Sequence, residues 1–418
     1  MAKFIINGRK PIGGEITISG NKNSILPMMA ACLLTSEECF LENVPNISDV
    51  GVMAEIMRNI GVLVEGVGTR RLRINAKSVN RYSLDPLLVK KLRASILLIG
   101  PLLARFGKAK LLHPGGCMVG RRAVGTHFEA LEALGAKTII GEEDYESEAA
   151  RPHPASIFLD EASVTATENA LMMASLIPGK TIIDDAACEP SIEDLANLLN
   201  AMGAKIEGAG TNRIIVRGSK RLSGAKGEVG PDIIDAGTFA IIAGVNNAKL
   251  TINKIRAKDL TMIILYLRRF GLEIKLEKDT MTIMPSKLVA PGSKVQTRPW
   301  PGFPTDLMSP LIVLASQAEG STLCHDWMYE SRMFFVDKLI TMGANITLCD
   351  PHRVLVVGPT RLRGKVMESP DIRAGMALVV AALCAQGQSE IGNAELIERG
   401  YEDIENRLKS LGADIKKV

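Results

Sequence analysis

One cysteine in this chain stands among cations. Cys117 lies in His113-Pro-Gly-Gly-Cys-Met-Val-Gly-Arg-Arg122, four and five residues ahead of two arginines. Guanidinium groups nearby favour the thiolate, and flanking glycines suit a loop better than a packed element. Two readings fit: a small buried hydrophobe, as lone cysteines mostly are, or a group that passes a proton or forms a transient adduct beside an anion. With no His–Asn partner pattern it is not a protease nucleophile. A carboxylate poses a similar choice. Asp306 ends the stretch Trp300-Pro-Gly-Phe-Pro-Thr-Asp306, whose prolines stiffen the approach to a helix start. It either caps that helix or takes a proton from a substrate hydroxyl.

The basic residues form two sets. Lys22, Arg93 and Arg373 fall where apolar helices begin, in Asn21-Lys22-Asn23, Lys90-Lys91-Leu92-Arg93 and Asp371-Ile372-Arg373. Asn and Asp are natural caps there, but a cation opposes the positive end of the helix dipole. Cations at several helix starts make sense either around a shared anion or as scattered salt bridges. The second set, Arg122, Arg256, Arg332 and Arg399, sits in loops ahead of amphipathic helices. No aromatic stripe accompanies it, so the target is a small oxyanion, which a planar guanidinium grips with two hydrogen bonds.

What positions these residues is a repeat. The phrases NIGVLVEG, ALGAKTIIG, AMGAKIEG, RFGLEIKLE, TMGANITL and SLGADIKKV recur with glycines at 61, 135, 203, 271, 343 and 412, about 70 residues apart. Each follows an amphipathic helix, such as Thr126–Leu134 or Ser191–Leu199, which the glycine ends in a left-handed cap. An alternating strand comes next. A second helix in each unit is apolar nearly all round, as in Ser24–Leu34, Ala94–Ile99, Ala170–Ser175, Thr238–Ala243, Leu311–Ala315 and Met376–Ala382. A helix without a polar face must be buried. The spacing therefore predicts an α/β protein with helices inside and sheets outside, three repeats to a domain.

Composition narrows the function. At 418 residues the chain exceeds one ordinary core, so two domains are expected. A net charge of +4 gives no footprint for nucleic acid. The longest apolar run, 376–385, is about half a membrane span, and the opening residues have no signal-peptide core. Seven cysteines without a CxxC pair, and five histidines without metal-ligand spacing, point to neither a disulfide framework nor a metal centre. A reducing cytoplasm is the simplest location.

Together, GNKN at 20–23, LRAS at 92–95, PGGC-x-x-G-x-R at 114–122, SVTATEN at 163–169, GFPTD at 302–306, ESR at 330–332, DIR at 371–373 and ERGYE at 398–402 resemble the UDP-N-acetylglucosamine 1-carboxyvinyltransferase family of the EPSP synthase superfamily. The likeness runs in order along essentially the whole chain. It implies a two-domain inside-out α/β barrel of six repeats, with domains at 22–229 and at 1–21 plus 230–418. It also implies transfer of the enolpyruvyl group of phosphoenolpyruvate to the 3′-hydroxyl of UDP-N-acetylglucosamine, which opens peptidoglycan synthesis, with no cofactor or metal. Under it Cys117 protonates the methylene carbon and Asp306 deprotonates the hydroxyl. Lys22, Arg122 and Arg399 hold phosphoenolpyruvate, with Arg332 and Arg373 nearby. Asn23, Arg93, Ala123, Val124, Ser163, Val164 and Met328 line the nucleotide-sugar side.

Three positions depart from the family pattern. Ala123-Val124-Gly125 replaces the usual Pro, branched residue and Asp, Glu161-Ala162 stands where a Lys is usual, and Ser48 replaces a common basic residue. All concern the nucleotide-sugar side. They leave two further readings open: an enolpyruvyl transferase with another acceptor, or a non-catalytic paralogue that binds a nucleotide sugar and regulates wall synthesis.

Overall fold

The six recurring glycines all end helices with a positive φ, between 88° and 111°. At Gly412 a Cβ would stand 2.5 Å from the Pro11 carbonyl oxygen, so that turn excludes any side chain. The structure, a computed structural model, describes residues 2–115 and 124–418.

The strands after these turns build sheets of one design. Leu250–Asn253 pairs parallel with Gly14–Thr17 on one side and antiparallel with Thr280–Met284 on the other. Thr280–Met284 then pairs antiparallel with Glu273–Leu276. The same order recurs in the sheets built on Glu38–Glu42, Gly179–Asp184, Gly320–His325 and Gln388–Gly392. A sixth sheet, on Lys108–Leu112, has three strands among the described residues, and a single bridge from Ser83 to Lys110 stands where the parallel strand lies elsewhere. Side chains alternate along each central strand. In Gly320–His325, Thr322 and Cys324 point inward and their neighbours are partly or fully exposed.

Contacts divide the chain into two units, one reaching to Ser19 and resuming at Pro231–Val418, the other lying between Gly20 and Gly230. Each has its own hydrophobic core. In the first unit the helices Ile233–Val245, Met308–Gln317 and Ile372–Cys384 are buried almost end to end and pack on one another. The second unit has Lys22–Ala31, Ile99–Phe106 and Val164–Ser175 in the same place. In each unit apolar helices thus lie inside and half-polar sheets outside, as the repeat predicts and as the inside-out α/β barrel implied by the resemblance requires.

Each unit is closed by a strand from far along the chain. Phe4–Asn7 lies between Gln388–Gly392 and Asp414–Lys417, and Lys226–Glu228 pairs with Glu38–Glu42. Two helix starts differ from expectation. The run after Arg93 is 3-10 from Arg93 to Leu98 and becomes α only at Ile99–Phe106, because Pro101 has no N–H to give the Leu97 carbonyl. Thr305–Leu307 is likewise a 3-10 turn ahead of Met308–Gln317, where Pro310 cannot donate to the Asp306 carbonyl. Among the described residues no helix is long and apolar enough to cross a membrane.

Candidate active site

Asp306 does not cap its helix. Its Oδ1 accepts from Arg332 Nη2 at 3.1 Å, and its Oδ2 accepts from Arg373 Nε at 2.9 Å. The arginine side chains are 1% and 7% exposed while that of Asp306 is 28% exposed, so the carboxylate is the open end of a buried cationic pair. Each guanidinium also lies over an aromatic ring, Arg332 at 5.3 Å from Tyr329 and Arg373 at 5.2 Å from Tyr401. Burial works against the charge of Arg373, but Asp306, Tyr401 and Asp232 outweigh it and hold the group above its ordinary value. Three N–H groups here, Nε and Nη1 of Arg332 and Nη1 of Arg373, are buried with no hydrogen-bond partner among the described residues. A buried unpaired donor costs about 1–3 kcal/mol, and donors of this kind suit an oxyanion.

The helix that carries Arg373 is capped by Asp371, which accepts from the N–H groups of Arg373 and Ala374 at 2.8 and 3.1 Å. Asp232 caps Ile233–Val245 in the same way. Both therefore follow the ordinary capping reading, and Arg373 is the residue left to explain. Arg399 lies in the turn after the short helix Ala394–Ile397. That turn presses on the start of the Arg373 helix. A Cβ at Gly400 would meet Ile372 at 2.6 Å and Arg373 Nη1 at 3.5 Å.

Asp326 is a buried member of this cluster that motif reading passes over. Its carboxylate accepts from Thr297 Oγ1 at 3.2 Å, from Met328 N at 3.0 Å and from Thr305 Oγ1. Arg332 Nε stands 3.9 Å from its Oδ2. The inward parity of Thr322 and Cys324 extends to Asp326, so a charge in a buried register was the available signal.

In the other unit Lys22 opens its helix beside the capping Asn21 and pairs with Asp49 at 2.6 Å, both side chains largely buried. Asn23 is exposed, as is Ser48, next to Asp49. Arg93 begins the 3-10 turn. Its charge and, above all, burial push the pKa of His127 down to about 3. His127 is thus neutral. Its Nδ1 accepts from the Asn169 amide at 2.9 Å, which leaves the proton on Nε2 to donate to Thr165 Oγ1, also at 2.9 Å. Asn169 Oδ1 accepts from Gly100 N, consistent with that orientation. The His127–Thr165 bond joins the helix that begins after Val124 to the helix that begins after Ser163. Glu161, two residues earlier, is exposed, and its carboxyl is pushed up by partial desolvation and by Asp160.

Of the predicted residues, Asp306, Arg332 and Arg373 come into direct contact, with Met328 tied to them through Asp326 and Arg399 in the adjoining turn. Cys117, Arg122 and Ala123 lie outside the described residues.

Comparison with known proteins adds three findings. The family model of EPSP synthase (3-phosphoshikimate 1-carboxyvinyltransferase) matches residues 6–408. A UDP-N-acetylglucosamine 1-carboxyvinyltransferase of Bradyrhizobium diazoefficiens is 48% identical over 423 residues, covering 100% of this chain and 98% of the relative, and one from Borreliella burgdorferi is 46% identical over 425 residues, covering 100% and 99%. The crystal structure of the enolpyruvyl transferase NikO from Streptomyces tendae superposes with a TM-score of 0.89 over 100% of this chain and 99% of that one. At 24% identity this last likeness speaks for the fold.

Proposed function

The chain belongs to the EPSP synthase family, and from that premise we propose that it transfers the enolpyruvyl group of phosphoenolpyruvate to the 3′-hydroxyl of UDP-N-acetylglucosamine and releases phosphate. Relatives 48% and 46% identical to it along its whole length carry that activity in their names. The observation that carries the chemistry is the Asp306–Arg332–Arg373 cluster, a partly open carboxylate backed by buried guanidinium donors without partners among the described residues.

The reaction is an addition followed by an elimination. Cys117 gives a proton to the methylene carbon, and the central carbon becomes electrophilic. Asp306 takes the proton of the attacking hydroxyl as the new C–O bond forms. The Cys117 thiolate then takes a proton back from the new methyl group as the bond to phosphate breaks, which restores the vinyl ether, and the proton held by Asp306 leaves with the phosphate. Lys22, Arg122 and Arg399 hold the phosphate and carboxylate, with Arg332 and Arg373 setting the field around Asp306. Such preorganised cations supply the positive charge to which a transition state of this kind responds, each worth roughly 2–4 kcal/mol. Asn23, Arg93, Ala123, Val124, Ser163, Val164 and Met328 contact the nucleotide sugar. We read the units as two transferase domains, 22–229 and 1–21 with 230–418. Free nucleotide sugar as substrate places the reaction in the cytoplasm, as a step of wall synthesis.

Phosphate release from phosphoenolpyruvate by the purified protein tests this. Release should depend on added UDP-N-acetylglucosamine. Dependence on shikimate 3-phosphate instead would replace the acceptor, and nucleotide-sugar binding without any release would make the protein a binder.

A further inference from the structure

We infer that Asp326 is a positioning residue for the chemical step, acting on Asp306 through Thr305 and on Arg332 directly; this rests on the transferase reading above. Asp326 is fully buried, a costly place for a charge unless it is held by several donors. It is held on every side. Its main chain is pinned to His352, whose Nδ1 donates to the Asp326 carbonyl at 2.8 Å and whose own carbonyl accepts from Asp326 N at 2.9 Å. Its carboxylate then gathers three separate stretches of chain. Thr297 comes from the stretch ahead of the proline-rich approach, Thr305 is the residue before Asp306, and Met328 lies in the loop that leads to Arg332.

The arrangement gives Asp326 two routes to the reacting groups. Along the backbone, the hydroxyl of Thr305 ties the turn that presents Asp306. Through space, Arg332 stands between two carboxylates, 3.9 Å from Asp326 and 3.1 Å from Asp306. Asp326 therefore limits how far Arg332 can move towards Asp306. The two carboxylates share the charge of Arg332. Loss of Asp326 would leave Arg332 to the proposed base alone and would free its backbone turn. A base displaced by a fraction of an ångström loses rate rather than substrate affinity.

Asp326→Asn keeps the shape but sets an NH2 group against donors, while Thr305→Val cuts the backbone route alone. Measured by phosphate release, each should lower kcat by about 10–100-fold, while the KM for phosphoenolpyruvate stays within about threefold of wild type. The double variant should be little worse than Asp326→Asn, because both changes break one chain of contacts. A merely structural role would instead lower the melting temperature and leave the kcat of the folded fraction alone. If Asp326→Asn does not fold, Thr305→Val decides. An active wild type beside variants of unchanged kcat, or of raised KM at unchanged kcat, overturns this inference alone. A wild type that releases no phosphate overturns the transferase reading and this inference with it.

Discussion

Asp306 and Cys117 divide the proton traffic proposed here, and the chain's other cysteines have no pair of arginines so close in sequence. The thiol of Cys188 shows the contrast. Burial, with Glu189 and Asp185 nearby, pushes it up, so it is a weak acid that gives up its proton reluctantly. Cys324 and Cys384 are pushed up to about 12 by burial alone. Cys117 instead has Arg121 and Arg122 close in sequence. Replacing Cys117 with Ala should cost about 100-fold or more in kcat, the usual range for a general acid, whereas Cys188→Ala should leave kcat within about twofold. Steady-state phosphate release with both variants checks this, and equal losses would remove Cys117 from the mechanism.

At the scale of an element, the helix Val164–Ser175 makes opposite demands on two titrating groups. His127, bonded to its Thr165 and Asn169, is held neutral by burial and by Arg93, with a pKa of about 3. The unfolded His127 takes up its proton near pH 6.5 and the folded one does not. Stability from this group is therefore present above that pH and is lost as pH falls, by at most about 1.4 kcal/mol per unit. The same helix buries Glu168, whose carboxyl is raised well above 4.5 by desolvation and by Glu189. Here the sign reverses: the folded protein keeps the proton, and stability is lost as pH rises above 4.5 towards the folded value. Urea unfolding should show less acid destabilisation in His127→Gln than in wild type between pH 7 and 4.5. Glu168→Gln should be the more stable form at pH 8, with the gap closing near pH 4. Parallel pH profiles for wild type and variants would contradict both.

Much of this was legible in the sequence because it rests on local rules. Glycine phrases mark helix ends, apolar helices must be buried, and cations at helix starts need an anion to explain them. Those rules placed Lys22, Arg332 and Arg373 among the candidates before any contact was known. Asp49, Asp326 and His127 escaped because their roles arise from pairing across 27, 6 or 38 residues of chain, with Lys22, Arg332 and Thr165. Asp306 was visible as a choice between cap and base. The cap was excluded only by seeing both its oxygens taken by arginines.

For the whole molecule, the feature that matters is how each unit is closed. Phe4 and Ile6 are fully buried in a strand that joins Gln388–Gly392 to Asp414–Lys417. Deleting residues 2–7 would empty two core positions and unpair both neighbours, a loss on the order of 5 kcal/mol or more. Hydrogen exchange should then speed up along Ile372–Cys384 while Val164–Ser175, in the other core, keeps its protection. Unchanged exchange in Ile372–Cys384 would show that the strand is dispensable.

The two closures also fall at different times in the life of a nascent chain. The strand Lys226–Glu228, which completes the unit between Gly20 and Gly230, emerges from the ribosome as soon as that unit has been made. Phe4–Asn7 is made before the rest of its unit, yet its partners Gln388–Gly392 and Asp414–Lys417 follow only after the other unit has been made. One unit can therefore finish during synthesis, while the other must keep an apolar strand waiting, in need of shelter from aggregation until its partners have been made.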